Sequence, residues 1–182
     1  MSNYKRYFKN FNNPTFITIV TKYRRELFIK YIYILKKSLN ISINKFHYKF
    51  IAGTVLKDHC HLLISTEVPE NIPKIIHDIK YNFSTNLPSE LLEKYRNELT
   101  PSEQKQGEKG VWQRRYYDHI IRDENDFNRH LDYIHYNSVK HYNISPKDWE
   151  YSSFHKFVKN GYYDEDWCNY GDKNNIINME LE

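Results

Sequence analysis

Cysteine is almost missing. Cys60 and Cys168 stand far apart in a chain of 182 residues and form no metal-like pair. A disulfide framework is therefore not expected, and a reducing cytosol fits. No apolar run approaches the length needed to cross a membrane. The opening stretch MSNYKRYFKNFNNP carries no apolar segment of the kind a secretory leader has. The expectation is a soluble cytoplasmic protein with no membrane partner. Glycine is scarce, at 5 residues, and no glycine-rich phosphate-binding loop can be found. No segment repeats.

What is present is ordinary for a globular domain, with 40% hydrophobic and 27% charged residues. The length suits one domain with a real core. The formal net charge of +4 permits a polyanionic partner without requiring one. Aromatics reach 16%, with 17 tyrosines, so a tyrosine taken alone carries little information.

Thr15–Thr21 is β-branched and aromatic and reads as a strand. Phe28–Leu39 has helical spacing, with Asn40 to Asn44 as its exit. Phe46–Leu56 reads as a second strand with Phe46, Tyr48, Phe50 and Ala52 on one side. Lys57-Asp58 makes a tight link into a third strand, His59–Thr66. Glu70–Phe83 reads as a second amphipathic helix. Pro88–Leu99 fits a short helix, and the polar Thr100–Gly110 reads as a mobile loop. Val111–Arg122 reads as the fourth strand, leading into a helix over 123–141. Ser145-Pro146 breaks the chain before a short helix in Glu150–Lys159, with Trp149 and Trp167 as anchors. The order β-α-β-β-α-β predicts an α+β, ferredoxin-like fold: a four-stranded antiparallel sheet with strands one and three central and two helices on one face. An additional helix and a C-terminal helical tail follow. The divisions are 1–13 as a basic arm, 14–141 as the core and 142–182 as an extension, with the last dozen residues frayed.

The helix over 123–141 holds the most information. Asp123 is a candidate N-cap, with Asp126 favourably placed at the helix N-terminus. Phe127, Leu131, Ile134 and Ser138 make a core stripe. Beside it run His130, Tyr133, Asn137 and Lys140, so a phenol and an amide project the same way one turn apart. On the third strand His59 and His61 leave by one face. They are either a satisfied pair of sheet histidines or the start of a metal site. A third ligand is then needed, and the Asn137 amide oxygen is a candidate; a surface or capping asparagine is the other reading. A His, His, Asn set suits Mg²⁺ or Mn²⁺ better than a closed zinc site. Asp58 either orients a ring or makes the turn. Tyr133 is either a half-buried aromatic or a nucleophile made effective by a metal on its phosphate target. The run Trp112-Gln113-Arg114-Arg115-Tyr116-Tyr117 combines cations for phosphate with platforms for unpaired bases. Arg24, Arg25, Lys80, Arg122, Lys140, His141 and Lys5-Arg6 add scattered basic character, which on its own is equally a solvated face.

Three segments together resemble a known family. Asp58-His59-Cys60-His61, then Trp112–His119 with Ile121-Arg122-Asp123, then Tyr133-Ile134-His135-Tyr136-Asn137-Ser138-Val139-Lys140 resemble the REP-associated tyrosine transposases of the single-tyrosine HUH superfamily. The tail Asp148–His155 and the opening strand followed by Tyr23-Arg24-Arg25 match in the same order. The resemblance implies a ferredoxin-like domain that cuts and rejoins single-stranded or hairpin-forming repeat DNA. It implies that His59, His61 and Asn137 hold Mg²⁺ or Mn²⁺, and that Tyr133 is the nucleophile forming a 5′-phosphotyrosine link. It implies DNA contacts among Arg24, Arg25, Lys80, Trp112, Arg114, Arg115, Tyr116, Arg122, Lys140 and His141, and either a monomer or a homodimer. Cys60 replaces the usual bulky hydrophobe between the histidines, and Ser138 replaces a usual proline. Two other functions share the fold: non-catalytic DNA or RNA binding, and a metal-dependent hydrolase in which water replaces Tyr133.

Overall fold

The computed structural model describes residues 8, 9 and 11–168. Most of the expected arm, including Lys5 and Arg6, and the C-terminal residues expected to fray lie outside the described residues.

Four strands form one antiparallel sheet: β1 (Pro14–Val20), β2 (Lys49–Val55), β3 (His59–Ser65) and β4 (Tyr117–Ile120). Their order is β2-β3-β1-β4, so β1 and β3 are central as expected. β1 and β3 are buried on both faces, which explains their almost unbroken apolar and β-branched sequences. One face gathers Ile17, Ile19, Cys60, Leu62 and Ile64 under α1 (Ile32–Phe46) and α2 (Ile72–Thr85). The other presents Phe16 and Leu63 to α5 (Glu124–Tyr142), which answers with Phe127, Leu131 and Ile134. The sheet is thus sandwiched, two helices on one side and the long helix on the other.

The C-terminal extension belongs to the second layer. Phe154 and Phe157 of α6 (Phe154–Lys159) join the α5 core. The Trp149 indole donates to the Val55 carbonyl at 3.2 Å. The amides of Val55 and Ser153 bond to Tyr151 and Gly53 carbonyls at 2.8 and 2.9 Å. These contacts cover part of the otherwise open edge of β2. Trp167 packs on Tyr163 at 4.6 Å between ring centres.

Four expectations change. α1 begins at Ile32 and continues through the expected exit to Phe46, ending at His47 with a left-handed φ of 54°. Ser38 and Ser42 are weak helix formers, but they are buried in α1, with the Ser42 hydroxyl 3.5 Å from the Ile75 carbonyl of α2. Tertiary packing overrides propensity there. Phe28 instead sits before the helix, fully buried. In β2 the register shifts between Phe50 and Ala52, a bulge at Ile51. Tyr48 consequently packs on the first face and Ala52 on the second, so the expected alternation fails.

The fourth strand is only Tyr117–Ile120; before it, Trp112 makes a single bridge to Thr21. The polar stretch after Leu99 is not a bare loop. It holds α4 (Pro101–Lys105), following α3 (Ser89–Asn97). Thr100 and Glu103 form a capping box, with Pro101 in the first turn. Lys22–Glu103 and Arg25–Glu98 ion pairs dock this insertion on the turn that leaves β1.

Candidate active site

β3 opens with the two histidines, both buried. His61 pairs with Thr18 of β1 in the strand register. The Thr18 hydroxyl lies 2.9 Å from His61 Nδ1, and His61 Nε2 lies 3.2 Å from Asn137 Oδ1. Burial, then the positive charge that His59 and His141 can carry, drives the His61 pKa well below the usual imidazole range. His61 is therefore neutral; its Nε2–H faces Asn137 Oδ1 in the metal-free chain, and the Nδ1–H tautomer, donating to the Thr18 hydroxyl, would present Nε2 to a metal. Asp58 Oδ1 lies 2.7 Å from His59 Nδ1, and Asp58 Oδ2 lies 3.2 Å from Arg24 Nη1. Burial alone would raise the Asp58 pKa, but the bonds and charges of His59 and Arg24 outweigh it and hold the carboxyl low. Asp58 thus accepts the Nδ1 proton of His59, leaving Nε2 without a protein partner among the described residues.

α5 brings the remaining groups. Asp123 caps it, accepting the Asp126 amide at 2.9 Å. Both expected stripes of α5 are buried from Phe127 to Ser138, because the helix packs against Phe16 and Leu63 of the sheet and against Phe154, Phe157 and Tyr163 that follow it. Tyr133 stands edge-on to His61, 5.3 Å between ring centres at 70°. Its ring is 2% exposed, and the Lys140 ammonium donates to its oxygen at 3.1 Å. Asn137 Nδ2 donates to the Tyr133 carbonyl at 2.6 Å, which turns Oδ1 toward His61. His141 packs against His59 at 4.8 Å between ring centres. Burial, then the charges of His59 and Lys140, lowers its pKa to about 4.

This donor set fits a divalent cation. Two donors bound side by side to one ion at bond lengths near 2.1 Å lie roughly 3 Å apart, and the His61–Asn137 pair is at 3.2 Å. A third donor, His59 Nε2, is kept open by Asp58. A separate group, His119, Asp126 and His130, also has ligand atoms within 4.8 Å of one another. Its hydrogen bonds tie β4 to the first turn of α5. The helix N-terminus and the Arg122 guanidinium, 3.5 Å from Asp126 Oδ2, disfavour a cation there.

Tyr133, His59, His61, Asn137, Lys140 and His141 therefore converge, with Arg24 at the rim. Arg114, Arg115 and Arg122 are exposed on the approach to α5. Arg25, Lys80, Trp112 and Tyr116 are not brought to the cluster. Arg25 lies over the Tyr95 ring at 3.9 Å and bonds to Glu98 and Gly110. Lys80 donates to the Gln113 carbonyl at 3.0 Å. Trp112 packs on Phe28 and Phe83, its indole bonded to Ser84 Oγ at 2.7 Å, and Tyr116 packs on the same core.

Two contributors escaped the sequence reading. Thr18 fixes His61, and Phe16 stacks on His61 at 5.5 Å while meeting Tyr133 edge-on at 6.0 Å. Both lie on β1, on the histidine face. Pairing β1 with β3 in register would have found them, and no local pattern does.

The model for IS200-like transposases matches residues 11–137. A Haemophilus influenzae protein described as a REP-associated tyrosine transposase is 40% identical, covering 92% of this chain and 93% of its own. A REP-associated tyrosine transposase of Escherichia coli K12 is 28% identical, with 92% of each chain covered. A REP-associated tyrosine transposase solved with a REP hairpin bound superimposes with a TM-score of 0.69 at 26% identity, over 88% of this chain and 86% of that one. Among the described residues no helix is long and apolar enough to cross a membrane.

Proposed function

Because the chain belongs to the IS200-like transposase family, among the REP-associated tyrosine transposases, we propose that it cleaves and rejoins single-stranded DNA beside hairpin-forming repeats, through a covalent bond to Tyr133. The observation that carries this reading is the contact between His61 Nε2 and Asn137 Oδ1 at 3.2 Å, one helical turn from Tyr133. It brings the strand histidines to the helix that carries Tyr133, and that proximity within one chain supports the reading.

His59, His61 and Asn137 would hold the cation. Bound there, Mg²⁺ or Mn²⁺ would supply positive charge to the scissile phosphate and make its phosphorus more electrophilic. The chain's residues do the rest. Thr18 and Asp58 fix the two imidazoles, and the Tyr133 carbonyl fixes the Asn137 amide. Lys140 holds a cation against the phenol oxygen, where it stabilises negative charge during attack. The Tyr133 oxygen bonds to phosphorus as the bond to the 3′-oxygen breaks. The phenol loses its proton, the leaving oxygen gains one, and the DNA 5′ end stays on the protein. Attack by another 3′-OH reverses the step and conserves the phosphodiester, so no nucleotide cofactor is consumed. Tyr133 is 2% exposed in the DNA-free chain, so its surroundings must open for the substrate to reach the phenol oxygen. Arg114, Arg115 and Arg122 are the cations placed to meet backbone phosphates.

A denaturing gel of the protein with a labelled hairpin oligonucleotide bearing single-stranded flanks tests this. A metal-dependent protein–DNA band is expected from the natural chain and none from Tyr133→Phe. An adduct that survives in Tyr133→Phe sinks the nucleophile assignment. Cleavage without any protein-linked end points to the hydrolase, and salt-sensitive binding without cleavage points to a binding protein.

A further inference from the structure

The turn that leaves β1 is strained, and its surroundings hold the strain in place. Tyr23 and Arg24 have φ of +56° and +51°, two consecutive left-handed residues without a glycine. Thr21 clamps the turn. Its amide donates to the Asp58 carbonyl at 2.9 Å, and its hydroxyl lies 2.9 Å from that carbonyl and 2.8 Å from the Arg25 carbonyl. Backbone strain kept by such a clamp marks a place where geometry is used. The Tyr23 ring is 67% exposed and stands 5.3 and 5.0 Å from the Lys22 and Arg25 cations. The Arg24 side chain, 57% exposed, turns instead to the candidate site. Its Nη1 reaches Asp58 Oδ2 at 3.2 Å, and the other oxygen of Asp58 holds the Nδ1 proton of His59 at 2.7 Å. The carboxylate is therefore gripped at both oxygens, between a turn clamped by Thr21 and a buried imidazole.

We infer that the left-handed pair Tyr23–Arg24 is a positioning device for the metal centre: it aims the Arg24 guanidinium at Asp58, which fixes His59 as the Nδ1–H tautomer with its Nε2 lone pair turned to the cation. The inference rests on the His59, His61 and Asn137 reading above and adds Arg24 to it as a positioning residue. A carboxylate with one partner can rotate, and an imidazole that loses its carboxylate can carry its proton on Nε2, where no lone pair remains for a metal. Partners of this kind, one step removed from the ion, control metal affinity by roughly 10- to 100-fold.

The test is Mn²⁺ titrated calorimetrically into the full chain without DNA, with ¹⁵N shifts of the His59 ring recorded alongside. Arg24→Ala is expected to weaken Mn²⁺ about 10-fold and to move the His59 shifts from the Nδ1–H pattern toward a mixture of tautomers. Arg24→Lys is expected to recover part of the loss. Asp58→Asn is expected to weaken binding at least as much, and adding Arg24→Ala to it to change little further, because the two act in series. Tyr23→Gly accepts the positive φ freely and is expected to bind within about 2-fold of the natural chain. Tyr23→Val, β-branched and hostile to that φ, is expected to reproduce the Arg24→Ala loss. If Tyr23→Val does not fold, the Arg24 and Asp58 variants carry the test. Natural Mn²⁺ affinity in Arg24→Ala with affinity lost in His59→Ala overturns the positioning role and leaves the metal centre standing. Natural affinity in both variants overturns the centre and the inference together.

Discussion

Tyr133 is one of 17 tyrosines, and its difference from the others is made by neighbours. Phe16 and His61 pack against its ring, and Lys140, two turns along the same helix, bonds to its oxygen. On the proposed mechanism that ammonium balances the charge on the attacking oxygen, as an oriented donor does in an excluded site. Lys140→Ala should slow adduct formation about 10- to 100-fold. Lys140→Arg should recover part of the rate, and hairpin binding should change by no more than one phosphate contact. Single-turnover gels with excess protein measure this directly. An unchanged rate in Lys140→Ala would leave the bond as a way of covering the phenol in the DNA-free chain and nothing more.

α5 shows what a sequence can and cannot disclose about an element. Its N-cap at Asp123, its length and its apolar stripe were legible because each depends on spacing within one segment. That both stripes are buried was not, because it depends on a sheet face assembled from three other segments. The same division runs through the chain. β1, β3, α2 and α3 were legible from local patterns. The end of α1 was set by its packing on α2, the β2 bulge by register, and α4 was hidden in polar residues whose Thr100-to-Glu103 capping box was the one local signal available. At the site, types and spacings left His59, His61 and Asn137 as candidates beside ordinary structural readings, and the family resemblance joined them; Thr18, Phe16 and the Arg24–Asp58 link exist only once the strands are paired. The burial of α5 has a consequence in pH. His135 points from it toward α6, bonded to Ser153 Oγ at 2.8 Å, and burial lowers its pKa to about 3. An unfolded chain binds that proton near pH 6.5. Between about pH 6.5 and 3 the unfolded state therefore holds more protons than the folded one. Stability is complete above that window and falls as pH drops into it. Two units of acidification from pH 6.5 should remove up to roughly 3 kcal/mol through this residue. Urea unfolding at pH 7 and 4.5 should show a smaller loss in His135→Gln than in the natural chain, and equal losses would place the proton elsewhere.

At the scale of the whole molecule, the sheet separates two jobs. One face, closed by α1 and α2, is an apolar core in which Cys60 is so buried that its pKa rises to about 12, leaving it inert. The other face meets α5 and carries the candidate chemistry where β3 begins. The exposed arginines Arg114, Arg115 and Arg122 lie outside that cluster on the path from Gly110 into α5, and among the described residues only Arg122 is near an acidic partner. On the proposed function, grip on DNA and chemistry on the phosphate fall to different groups, and they should be separable. Chelation with EDTA should abolish the covalent adduct while leaving hairpin binding nearly intact, because the cation touches one phosphate and the side-chain cations touch several. The affinity of the metal-free chain should fall with salt, with a log–log slope of about −0.7 to −0.9 per phosphate neutralised. Replacing Arg114 and Arg115 together by alanine should reduce that slope by about 1 to 2 and leave the single-turnover rate of DNA already bound unchanged. Titrating the hairpin at several salt concentrations, with and without Mn²⁺, reads both quantities from one preparation. If binding and adduct formation disappear together on chelation, the cation is part of the grip itself, and the division between the arginine approach and the His59–His61–Asn137 centre does not hold.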